Sequence, residues 1–126
     1  MSWQSKYFSF DEMKCKCGCD QAPMDQEFMD LLDTIRESLG KPLIISSGYR
    51  CPNHPIEKKK IKPGAHATGK AADIAVSGGD AQRVLLAAMI LEVNRLGVQQ
   101  KGSGRFIHVD VATETDGFPT PALWSY

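Results

Sequence analysis

The segment Phe106-Ile107-His108-Val109-Asp110-Val111 constrains the fold more tightly than any other. Period-two alternation sends Ile107, Val109 and Val111 to one face of a strand and Phe106, His108 and Asp110 to the other. The branched face belongs on a core, and the polar pair His108 and Asp110 is expected to face away from it. Val98 to Lys101 and Arg105 to Val111 flank Gly102-Ser103-Gly104, a spacing suited to a hairpin.

Helical periods surround this sheet. Ser9-Phe10-Asp11-Glu12 has the form of a capping box, in which a hydroxyl and a carboxylate three residues apart each satisfy an orphan amide. That short helix should end near the turn from Cys15 to Cys19. From Asp25, the residues Phe28, Leu31, Leu32, Ile35 and Leu39 recur at helical spacing, with Gly40 placed for a left-handed cap. Leu43 to Ser47 is a short branched run that predicts a buried strand entering a turn at Gly48-Tyr49-Arg50, and residues 51 to 70 read as a loop. Ala71 to Val76 predicts a second strand. Asp80 is then expected to cap a helix running through Leu96, closed by Gly97. The tail from Thr113 reads as irregular, pinned by Trp124 and Tyr126. Helices that precede and interrupt a small antiparallel sheet give an α+β class.

At 126 residues the chain suits one domain, 1–126, with 42% hydrophobic and 24% charged residues in ordinary globular proportion. Fifteen basic residues balance fifteen acidic ones, so no global field draws it to nucleic acid or anionic lipid. The apolar stretch from Val84 to Leu96 is interrupted by Glu92, Asn94 and Arg95, so membrane insertion is not expected. Met1-Ser2-Trp3-Gln4-Ser5-Lys6 lacks the apolar run of a signal peptide, which predicts synthesis in the cytoplasm. A monomer is expected.

Three histidines occur. His66 lies between Gly64 and Gly69, and Asp73 follows seven residues later, just inside a predicted strand. If loop and strand fold back on each other, imidazole and carboxylate converge. With His108 they make a donor set of two nitrogens and one oxygen, which suits a catalytic zinc that keeps its fourth position for water. Such a metal brings its water to a pKa of about 7 and polarises a carbonyl. The plainer alternative is a hydrogen-bonded structural histidine and an aspartate that caps a turn.

Three ordered strings go further: Ser47-Gly48-Tyr49-Arg50, His66-Ala67-Thr68-Gly69-Lys70-Ala71-Ala72-Asp73 and Phe106 to Val111. Together with Trp124-Ser125-Tyr126, they resemble the zinc D-Ala-D-Ala carboxypeptidase and L-alanyl-D-glutamate peptidase family, over about residues 10 to 126. That family includes phage endolysins and vancomycin-resistance dipeptidases and shares a fold with the Hedgehog signalling domain. The resemblance implies that His66, Asp73 and His108 bind zinc. It also implies that Arg50 stabilises charge developing on the substrate carbonyl, the alternative being a surface arginine in a salt bridge. The implied substrate is a peptidoglycan stem peptide. The implied setting is the cell wall, reached after release from the cell in the manner of phage or prophage lysins.

Two departures accompany the likeness. Gly64 stands where the family usually has Ser, and Arg105 and Phe106 stand where many members carry the catalytic Glu or a His. Asp110 is the nearest acidic candidate for the general base, with an orienting hydrogen bond as its alternative role. Glu92 and Glu114 are more remote. An inactive zinc-containing module of the same fold, binding cell wall or protein, is the competing function.

Cys15, Cys17 and Cys19, with Cys51 and His54 in C-x-x-H spacing, are candidates for a second, structural zinc site. A disulfide from Cys51 to one of the three, or free thiols, are the alternatives. A zinc module dominated by these cysteines and contacting nucleic acid or protein is a third function, which the zero net charge weakens. Lys58-Lys59-Lys60 and Lys62 read as a solvated face, or as a contact for anionic polymer.

Overall fold

A computed structural model describes residues 3–126; Met1 and Ser2, where the reading of the N-terminus begins, lie outside the described residues. The elements are α1 (Phe10–Met13), α2 (Gln26–Leu39), β1 (Ile45–Ser47), α3 (Pro55–Lys58), β2 (Ala71–Ile74), α4 (Gly78–Ile90), β3 (Arg95–Gln99), β4 (Phe106–Asp110) and β5 (Ala122–Ser125). Short 3₁₀ turns occur at Ala65–Thr68 and Glu114–Asp116. The class is α+β. One five-stranded sheet has the order β1-β2-β4-β3-β5, antiparallel throughout except where β5 runs parallel to β3.

The helix boundaries follow from local chemistry. Ser9 and Glu12 form the reciprocal capping box at α1. The Asp25 side chain accepts from the Phe28 amide to start α2, and Gly40 ends it in the left-handed region at φ 69°. Helix α2 packs on α4 and α4 on β4, so that Phe28, Met29, Leu32 and Ile35 of α2, Val84 and Ala88 of α4, and Ile74, Ile107 and Val109 of the sheet share one core. All these side chains are fully buried. Each large one contributes roughly 1.5–3 kcal/mol on leaving water. No helix among the described residues is long and apolar enough to cross a membrane.

Several expectations are corrected. Helix α4 starts after Ser77 and stops at Ile90, and Asp80 lies within its first turn, paired with Lys41 and Arg83. Glu92 adopts φ 62° just beyond, which breaks the helical path. Residues 95–99 are strand, because Leu96 and Val98 pair with Val109 and Ile107 of β4, a partner that helical periodicity cannot reveal. The loop expected over residues 51–70 contains α3 and a 3₁₀ turn. The tail is not wholly irregular: Ala122–Ser125 adds the parallel edge strand. Nor does the second face of β4 lie open, since His108 is 3% and Asp110 0% exposed.

Candidate metal centre

Sheet register assembles a row of residues across the second face. Ser47 pairs with Asp73, Asp73 with His108, His108 with Gly97, and Gly97 with Trp124. Gly97 permits the last step: a Cβ there would lie 2.5 Å from Trp124 Nε1. The indole instead crosses the glycine and reaches His108, with ring centroids 5.2 Å apart.

His66 arrives from the 3₁₀ turn before β2. Its Nδ1 lies 2.7 Å from the Gly48 carbonyl oxygen, and its own carbonyl accepts from the Arg50 amide at 3.1 Å. A carbonyl can only accept, so Nδ1 carries the hydrogen and Nε2 presents a lone pair. That lone pair points at Asp73 Oδ1, 3.3 Å away. His108 is held in the opposite sense. Its Nε2 lies 2.6 Å from Asp110 Oδ2 and donates to it, which leaves Nδ1 facing the same Asp73 oxygen at 2.9 Å.

Three electron-rich atoms thus converge in a nearly closed space, all within 4.8 Å of one another, on residues no more than 8% exposed. Without a positive charge among them this arrangement is repulsive. An added proton or a shared cation relieves it. Burial pushes the His66 pKa down against the pull of Asp73, so protonating His66 is unfavourable. Burial also opposes charge on His108, but Asp110 and Asp73 outweigh it and raise that pKa. Burial pushes Asp73 up, yet the facing His108 and His66 imidazoles outweigh it and hold its carboxyl well below the usual carboxylate range. Two imidazole nitrogens and one ionised carboxylate, each imidazole anchored through its far nitrogen, fit zinc in donor type and outer support.

Asp110 takes the orienting position. Its Oδ2 accepts from His108, while its Oδ1 accepts from Arg95 Nε at 2.7 Å and from the Ala112 amide at 3.1 Å. With both oxygens engaged in these bonds and no exposure, its carboxylate acts on His108 rather than on a reacting water, which corrects its candidacy as general base. Arg95 also donates to the Pro119 carbonyl and lies against the Phe118 and Trp124 rings. Sequence reasoning passed over Arg95 by placing it in a helix. Glu92 and Glu114 are exposed on turns.

Arg50 follows the Gly48 turn, mostly buried, with Nε 3.3 Å from Glu57 Oε2. The approach is not aligned for a hydrogen bond, and this buried Nε has no such partner among the described residues. Glu57, also unforeseen, is fully buried. It accepts from the Gly64 amide at 2.6 Å and from Lys60 Nζ. A side chain at Gly64 would press on Lys60 Nζ and on Glu57 Oε1, so the departure from Ser suits this neighbourhood. The lysine run is not uniformly solvated: Lys60 pairs with Glu57, and Lys62 donates to the Gly117 carbonyl and lies over Phe118.

The cysteines form a separate group. Cys15, Cys17, Cys19 and Cys51 bring their sulfur atoms within 4.8 Å of one another, as free thiols. His54 is not in the group, because its Nδ1 accepts from the Ile56 amide and caps α3. Its inclusion in a second metal site is corrected accordingly.

Among known families, the model of the family described as Peptidase M15 matches residues 6–110. No curated protein and no solved structure gave a match. The chain belongs to the Peptidase M15 family.

Proposed function

We propose that this Peptidase M15 chain is a zinc-dependent hydrolase of amide bonds in peptidoglycan stem peptides. The observation that carries the proposal is the convergence of His66 Nε2, Asp73 Oδ1 and His108 Nδ1, each histidine being fixed from behind by an acceptor. Bound by these three residues, zinc supplies Lewis acidity toward a carbonyl oxygen and brings water to a pKa of about 7.

The chain's own residues supply positioning and charge. Asp110 and the Gly48 carbonyl hold the two imidazoles in the tautomers that leave their inner nitrogens free. Arg95 donates to Asp110 Oδ1 and holds the carboxylate aimed at His108. Arg50 is tied through its amide to the His66 turn, so its guanidinium shares the frame of the metal ligands and is suited to stabilise negative charge on the attacked carbonyl. Trp124 packs its ring beside His108 on the far side.

Digestion of purified peptidoglycan by the zinc-loaded protein tests this reading. New amino termini within stem peptides indicate an endopeptidase, and free D-alanine indicates a carboxypeptidase. Either activity should be lost on chelation and restored by zinc. A second reading, a zinc-holding module without catalysis, is favoured by the engagement of both Asp110 oxygens. Stoichiometric zinc with no cleavage of any stem peptide would support that module instead.

A further inference from the structure

The thiol cluster lies outside the histidine site and joins two distant segments. Cys15, Cys17 and Cys19 come from the turn after α1, and Cys51 from the segment after β1. Sulfur separations are 3.3 Å for Cys15–Cys17, 3.6 Å for Cys15–Cys51 and 3.4 Å for Cys17–Cys51. A disulfide needs about 2.05 Å. A tetrahedron of sulfurs around zinc, with bonds of about 2.3 Å, has edges near 3.8 Å. The observed spacing is much closer to the tetrahedron, and a pairwise bridge would leave two of the four thiols unused.

The backbone is arranged for this convergence. Gly18 and Asp20 adopt φ 95° and 58°, which turns the chain tightly enough to put Cys15, Cys17 and Cys19 on one side. The Cys15 amide donates to the Gln21 carbonyl and closes that turn at 2.8 Å. The Cys51 amide donates to Cys15 Sγ at 3.3 Å, a contact that stabilises thiolate over thiol.

We infer that Cys15, Cys17, Cys19 and Cys51 bind a second zinc ion in a closed tetrathiolate site, which staples the N-terminal turn to the segment bearing Gly48 and Arg50. The staple sits directly behind the histidine centre. Tyr49 donates its amide to the Met13 carbonyl at 2.8 Å, and Gly48 packs so closely on Met13 that a Cβ would lie 2.7 Å from the Met13 oxygen. Gly48 is the residue whose carbonyl orients His66, so the sulfur site fixes the histidine site from behind. With four protein ligands it has no open position, and its role is structural. The inference holds whether or not the chain hydrolyses a peptide.

Metal analysis of the full chain, purified under reducing conditions, tests it. The wild type should carry about two zinc ions and each of His66→Ala and Cys17→Ser about one, since each change empties one centre. After cobalt exchange, His66→Ala should keep strong thiolate-to-metal charge-transfer absorption and Cys17→Ser should lose it. Should Cys17→Ser fail to fold, the wild type alone decides by alkylation, with all four thiols protected until a strong chelator is added. Amide exchange at Tyr49 and Cys51 should accelerate when this metal is removed. A non-reduced chain with disulfides and no sulfur-bound metal would overturn the inference, as would four thiols that alkylate freely before chelation. Unchanged exchange at Tyr49 and Cys51 would overturn the stapling role.

Discussion

Asp73 and His108 stand directly opposite each other on neighbouring antiparallel strands, with Asp73 Oδ1 2.9 Å from His108 Nδ1. The distance between these two candidate ligands is therefore set by sheet register, and a one-residue slip would send them to opposite faces. His66 depends instead on a short turn, held by Gly48 and Arg50. The centre joins one rigid edge to one supported loop.

Replacing Gly97 by alanine should drive a methyl group into the Trp124 indole. The expected loss is about 1–3 kcal/mol of stability, the usual range for overpacking. Urea unfolding measures it. A variant as stable as the wild type would mean that Trp124 does not cross this glycine in solution.

Asp110→Asn should weaken zinc binding by about 10–100-fold, because it removes the charged acceptor that fixes the His108 tautomer. Competition with a chromophoric chelator reads the affinity directly. Equal affinities would take the orienting role away from Asp110.

Arg50→Lys should leave the zinc content unchanged while lowering kcat on a stem-peptide substrate by about 10²–10³-fold, the typical effect of losing an oxyanion donor. A lysine keeps the positive charge but not the planar fork of donors. Full turnover in this variant would remove Arg50 from the reaction.

Glu57→Gln addresses acid stability. Burial raises the Glu57 pKa, but the Gly64 amide, Lys60 and Arg50 outweigh it and hold the carboxyl below its ordinary value. A depressed folded-state pKa contributes stability above the unfolded value of about 4.3 and loses it as pH falls through the folded value. The variant should be less stable than the wild type by about 2 kcal/mol at pH 7, and the gap should narrow steadily in acid. A gap independent of pH would mean that Glu57 acts through shape alone.

Much of this centre was legible because its signals are local. The alternation of β4 gave the facing of Ile107 and Val109, and the glycines around His66 gave the turn. What stayed hidden depends on partners distant in sequence. Arg95 and Gly97 look like the end of a helix until β4 supplies their pairing, and β5 is recognisable only because it lies beside β3. Burial of Asp110 follows from Arg95, Phe118 and Trp124 covering that face, and no short window contains all of them. In the sequence Glu57 is one acidic residue beside Lys58-Lys59-Lys60, and only the fold shows its carboxylate fastening Gly64 two residues before His66.

Anomalous diffraction at the zinc absorption edge, from crystals of the metal-loaded protein, tests the central claim most directly. A peak bonded to His66 Nε2, Asp73 Oδ1 and His108 Nδ1 is the expected result. Clear density for the three side chains with no anomalous signal between them, at saturating zinc, would contradict it.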